Sequence, residues 1–200
     1  MKNIRIIAAA AACLVTPFAF SQTSNFEGFS VLGGVNLGAS TFEQNAKNGS
    51  SLTSVTSTSS NFLAQGEYTF AIGSQITLGL GATVGLGDLT FGRWASGTGG
   101  DIKLKETYSA YIAPGYLLNE TTLVYAKLAS ISGTVYGDCG TCTSVSLSGV
   151  GYGAGARFMS NKNMYYQIEF IQNQYQDKDF TSSTGKSKGS VLSFGVGYKF

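Results

Sequence analysis

The sequence predicts an all-β fold, an up-and-down barrel of antiparallel strands, on three observations. Apolar residues after the first twenty or so positions recur with a period of two, and no stretch keeps helical spacing. The alternating runs number eight, an even count that lets a meander close on itself. The connections between them alternate between long and short. A length of 200 residues suits a single domain.

Each run has one apolar face and one polar or glycine face, because successive side chains of a strand point to opposite sides. In the first, Phe29, Val31, Val35, Leu37 and Ala39 oppose Ser30, Gly34, Asn36 and Gly38. In the second, Phe62, Ala64, Tyr68, Phe70 and Ile72 oppose Asn61, Gln65, Glu67 and Thr69. The third sets Ile76, Leu78, Leu80, Ala82, Val84 and Leu86 against Gln75, Thr77, Gly79, Gly81, Thr83 and Gly85. The fourth sets Leu104, Tyr108, Ala110 and Ile112 against Lys103, Lys105, Thr107 and Ser109. Val124, Ala126 and Leu128 oppose Tyr125 and Lys127 in the fifth. The sixth pairs Val150, Tyr152, Ala154, Ala156 and Phe158 with Gly151, Gly153, Gly155 and Arg157. In the seventh, Met164, Tyr166, Ile168 and Phe170 oppose Gln167, Glu169 and Asn173. The eighth presents Phe194, Val196, Tyr198 and Phe200 on one face.

Long polar segments, 41–59, 88–101, 133–146 and 174–189, follow the odd-numbered runs. Short links, 73–74, 115–121 and 160–163, follow the even ones. The Ser/Thr-rich stretch 50–60 reads as a mobile loop between two paired strands. Long connections at one end and short turns at the other suit a transmembrane barrel with extracellular loops and periplasmic turns.

Composition and charge separate a membrane barrel from a soluble one. Residues 1–21 read as a secretory signal peptide, with Lys2 and Arg5 before an apolar stretch and a small-residue cleavage site at Ala19-Phe20-Ser21, leaving 22–200 as the barrel domain. A lipoprotein reading at Cys13 is poorly served by the alanines before it. The signal holds two of the 13 basic residues and none of the 11 acidic ones, so the mature chain is neutral, which argues against a nucleic-acid partner. Charged residues make up 12% of the chain, about half the usual share of a soluble domain. Glu67, Lys127, Arg157 and Glu169 sit mid-strand on the polar faces, among glycines that would leave a bald soluble surface. Turned inward, the same glycines make room for long charged side chains that pair with one another, an interior charge network. Glu106 falls on the apolar side and is expected at the extracellular rim. Phe70, Tyr116, Tyr198 and Phe200 at the short-turn end, and Trp94, Tyr136 and Tyr175 at the other, suit interfacial girdles.

The last eight residues, SFGVGYKF, resemble the C-terminal β-signal of outer-membrane proteins, with Ser193, Gly195, Tyr198 and Phe200 at its specified positions. That resemblance implies recognition by the barrel-assembly machinery. The stretches 108–133 and 149–175, with their Pro-Gly-Tyr, Tyr-Ala-Lys and the Arg157 and Glu169 pair, resemble the small outer-membrane barrels of the OmpA-like and opacity-like kind. The resemblance covers nearly all of the mature chain and implies a cell outer-membrane location and a polar, largely plugged interior; the peptidoglycan-binding domain of full-length OmpA-like proteins is not expected here. It also implies outer-membrane lipid and lipopolysaccharide as surroundings.

No chemistry-bearing motif reaches the standard of a site. The chain has no histidine, the base on which several barrel enzymes depend, so no catalytic residue, cofactor or metal is expected. Cys139 and Cys142 lack the partners of a zinc site and the βαβ setting of a redox pair, and read as a loop disulfide. The GxGxxA match at 151–156 lies in a period-two run, not before a helix, and is discarded. The expected function is therefore structural or adhesive, exerted through surface loops, with a narrow ion pore or a soluble lipocalin-like binder as alternatives.

Overall fold

The computed structural model describes residues 25–46, 51–93, 101–137, 144–179 and 183–200. The signal segment, Trp94, Cys139 and Cys142 lie outside them. The strands are β1 (Gly28–Ala46), β2 (Ser51–Ala71), β3 (Ile76–Leu86), β4 (Leu89–Arg93), β5 (Asp101–Asn119), β6 (Thr122–Gly137), β7 (Val145–Met159), β8 (Met164–Tyr175), β9 (Lys178–Asp179) and β10 (Ser183–Lys199). Eight of them form the wall in the order β1-β2-β3-β5-β6-β7-β8-β10, and β1 closes it by pairing with both β2 and β10. All these pairings are antiparallel. No helix among the described residues is long and apolar enough to cross a membrane. A closed barrel instead satisfies the backbone by its ladder.

The alternation sets which way each side chain faces. Phe29, Val31, Val35 and Leu37 of β1 are exposed on the outer wall, while Ser30 and Leu32 between them are buried. Outward residues of the other strands, among them Leu80, Ile112, Leu128, Tyr152, Ile168 and Val196, complete a belt of exposed apolar side chains. A lipocalin-like arrangement, apolar within and polar without, is thereby contradicted.

Several boundaries differ from the sequence expectation. The stretch 50–60 is not a loop: from Ser51 it belongs to β2 and pairs with β1. Its alternating Ser and Thr, with Thr β-branched, suit a strand exposed at a sheet surface, and Thr41 and Thr56 hydroxyls meet at 3.1 Å across the ladder. Likewise β4 and the outer ends of β5, β6, β7 and β10 occupy much of the other segments read as long connections. The link read at 115–121 shrinks to Glu120 and Thr121, because β5 continues through Asn119.

The fourth run is read on the wrong face at its outer end. Lys105 pairs with Thr134 and Tyr108 with Ser132, so two residues of β5 oppose the single Gly133 of β6. This bulge, with Glu106 at φ 52°, resets the alternation. Leu104 accordingly turns inward and is 1% exposed, whereas Lys105 is outward, 3.5 Å from Asp88. Glu106 is exposed and accepts a hydrogen bond from the Thr134 hydroxyl at 3.3 Å. On the neighbouring wall the ladder breaks at Gly87, whose φ of 99° separates β3 from β4. Beyond that break β4 pairs with β5 alone, and β2 from Ser51 to Ser60 pairs with β1 alone.

Candidate functional site: the barrel interior

The interior is filled at three levels. At the short-turn end, Phe26 folds back into the barrel and packs with Leu117, Leu123 and Met159. Asn25 secures this segment by donating its side-chain N–H to the Glu120 carbonyl at 2.8 Å. At the opposite end, the inward Leu104 packs with Leu89, Val135 and Tyr175. It fits because residue 133 is glycine, where a Cβ would lie 2.8 Å from Leu104 Cδ1.

Between them lie the four charged residues. The Arg157 guanidinium, from β7, reaches the Glu67 carboxylate of β2 with two parallel hydrogen bonds of 2.5 and 2.6 Å. Its Nε donates to Gln167 Oε1 at 2.8 Å. Glu67 also accepts from Tyr111 (2.7 Å) and Thr69 (2.8 Å). Lys127 of β6 lies 3.0 Å from both oxygens of Glu169 on β8, and Tyr125 donates to Glu169 Oε2 at 2.8 Å. All four charges are at most 4% exposed, so each has been taken out of water and must be compensated inside. Two cations and two anions in contact, with hydroxyl donors on both carboxylates, supply that compensation. Aromatic faces add to it: Lys127 Nζ sits 3.8 Å from the Tyr111 ring centre, and Arg157 Cζ 4.8 Å from that of Tyr125.

Tyr111, Tyr125 and Tyr165 make the arrangement rigid. Each lies over a glycine directly across the ladder: Tyr111 over Gly81, Tyr125 over Gly155, Tyr165 over Gly197. A Cβ at any of these glycines would overlap the phenol ring. Glu67 is seated likewise, since a Cβ at Gly79 would lie 2.6 Å from its Oε1. Tyr111 and Tyr165 escape a reading based on composition alone. Their signal is parity, which puts both on the polar face, and register, which sets each opposite glycine.

The terminal residues occupy both faces of β10. Ser193 is buried and donates to Asn36 Oδ1 at 2.7 Å. Gly195 leaves space for Leu32, whose Cδ2 would lie 2.6 Å from a Cβ there. Tyr198 and Phe200 point outward, their rings edge to face at 5.1 Å, and Phe200 stacks on Phe29 at 5.8 Å. The Phe200 N–H donates to the Phe29 carbonyl at 2.9 Å, so the closing seam includes the last residue.

No group of His, Cys, Asp and Glu among the described residues is arranged to hold a metal ion. The site can fill, brace and seal the barrel.

Comparison with known proteins agrees with this geometry. Two solved outer-membrane barrels are similar in fold. Ail, the attachment invasion locus protein of Yersinia pestis, is 19% identical, with a TM-score of 0.50 over 87% of this chain and 99% of that one. OprG from Pseudomonas aeruginosa is 14% identical, with a TM-score of 0.52 over 87% of this chain and 96% of that one. No curated protein sequence matches the chain. Residues 6–200 match the outer membrane protein beta-barrel domain, and the chain belongs to that family of Gram-negative outer-membrane barrels.

Proposed function

We propose that this protein is a non-enzymatic surface barrel that acts through its outward hairpins, by adhesion, surface recognition or stabilisation of the envelope. One observation carries the reading: the interior is stopped at three levels, while the β1–β2 hairpin continues beyond the apolar belt as a ladder of Ser and Thr. A barrel closed inside and extended outside has its outer hairpins as its working surface. Lys103, Lys105, Lys186 and Lys188 stand on the same end, with Lys105 paired to Asp88 and Lys186 to Asp177, each at 3.5 Å. Ail has been solved in complex with the heparin analogue sucrose octasulfate, which makes a sulfated glycan the first probe to apply here.

The test compares cells carrying the wild-type chain with cells whose residues 41–58 are replaced by a two-residue turn. Binding to immobilised heparin is expected to fall in the shortened variant while its heat-shifted gel band persists. Unchanged binding, with substantial conductance in planar bilayers, would favour the second reading, a narrow pore. The paired charges support that alternative, since a rearranged network would open a polar path. Arg157→Gln and Glu169→Gln should then change its conductance.

A further inference from the structure

We propose that the outer wall over β8, β10, β1 and β2 is a docking site for one phosphorylated, multiply acylated glycolipid of the outer leaflet, with its phosphate on Lys188 and its acyl chains on the apolar surface below. The belt of exposed apolar side chains sets this wall in lipid, so a lipid is the occupant it meets. Two shallow depressions lie on the outer face. The lower one, of about 770 Å³, is lined by the small side chains of Ala126, Ala154 and Ala156, with Ile168 and Phe170 beside them. The upper one, of about 540 Å³, is lined by Gly38 and Ala39, with Thr58 and Ser60 on its β2 side. Phe170 and Leu192 line both, so the two adjoin.

Register gives the pair a direction. Ala126, Ala154, Phe170, Leu192, Leu37 and Ser60 stand opposite one another in a single row across six strands. Its interstrand spacings make the row about 24 Å long, and strand tilt carries it obliquely from the short-turn end of β6 toward the outer hairpins. Side chains change along it from apolar to hydroxyl. Above Leu192, on the same face of β10, come Ser190 and then Lys188, about 7 Å further on. Lys188 is exposed and pairs with no carboxylate among the described residues. Across the ladder it faces Thr41 and Gln174, both neutral. Lys186, by contrast, is held by Asp177 at 3.5 Å and stands opposite Glu43. An uncompensated cation at the polar end of an apolar track complements the phosphate at the head of a lipid. The exposed hydroxyls of Thr58 and Ser60 suit a sugar next to that phosphate, and two adjoining depressions take more than one chain.

The experiment uses the full barrel folded in neutral detergent micelles, with bound lipid counted by native mass spectrometry as phosphorylated, multiply acylated lipid A is added. Saturation at one lipid per barrel is expected. Lys188→Gln should weaken binding about tenfold, as for loss of one charge-assisted contact. Removing the lipid's phosphates should then cost that variant much less than it costs wild type. Ala154→Leu, which fills the lower depression and leaves every charge in place, should also weaken binding. Both substitutions lie on the outer wall, and a heat-shifted gel band checks that each barrel has closed. Lys162→Gln, at the short-turn end, should leave the titration unchanged. Equal affinity for phosphatidylglycerol, uptake of lipid without saturation, equal binding by Lys188→Gln and wild type, or displacement of the lipid by a second barrel would overturn the proposal.

Discussion

Arg157 shows what one buried side chain does here. Its guanidinium compensates Glu67, and removing it leaves a carboxylate in the barrel with only hydroxyl donors for company. Arg157→Met is expected to destabilise the folded barrel by about 3–5 kcal/mol in urea titrations, because a buried charge loses its partner. Adding Glu67→Gln should recover a large part of that loss, and a strictly additive double variant would show that the pair is not coupled. The glycines beneath the tyrosines work by the opposite means, supplying space instead of contact. Gly81→Val puts atoms where the Tyr111 ring lies and displaces the phenol from Glu67. A cost of about 1–3 kcal/mol is expected, read from the same titrations. Gly33, where an added Cβ meets nothing within 4 Å, is the matched control.

At the scale of elements, β5 and β10 carry the most specific devices. The β5 bulge turns Leu104 from the lipid side into the roof of the interior. Deleting Glu106 removes the extra residue and reverses every outer side chain of that strand. A cysteine at position 104 should react slowly with a bulky maleimide in the intact barrel and readily in the deletion variant. Equal labelling in both would show that the bulge does not set the face. For β10, the proposed assembly signal and the closure contacts share residues, and two measurements separate them. Removing Phe200 loses the stack on Phe29 and one seam hydrogen bond, a modest part of the β1–β10 ladder. The deletion variant should therefore refold in detergent to a heat-shifted band nearly as well as wild type, yet reach the outer membrane of cells far less. Equal loss in both settings would assign Phe200 to closure alone.

The whole molecule is a greasy-walled cylinder with a braced interior and polar outer hairpins. Its outward belt needs lipid, and its inward charges need one another, so barrel closure and charge pairing form together. Stoppers at both ends and a neutral network between them predict very low conductance for wild type. Arg157→Gln should raise it only if the network is what blocks the path, whereas the Phe26 and Leu104 clusters block it independently. Single-channel recording of Arg157→Gln and of Leu104→Ala distinguishes these levels. No increase in either variant is the expected result, because the Phe26 cluster remains in both.

The sequence by itself determined the eight strands of the wall, the two faces of most of them and the sign of the barrel, apolar outward. Those properties are local, because alternation along a strand depends on backbone geometry and needs no knowledge of the partner. It also marked Glu67, Lys127, Arg157 and Glu169 as mid-strand charges on polar faces. Which cation meets which anion, and which tyrosine covers which glycine, depend on register between strands far apart in the chain, and only the tertiary structure decided them. The same holds for Leu104, whose face turns on one extra residue opposite Gly133, a feature of the pair of strands and invisible in either alone. The Ser/Thr stretch of β2 was misjudged for a related reason. Its composition suits either a solvated loop or a surface strand, and pairing with β1 chose the strand by satisfying its backbone.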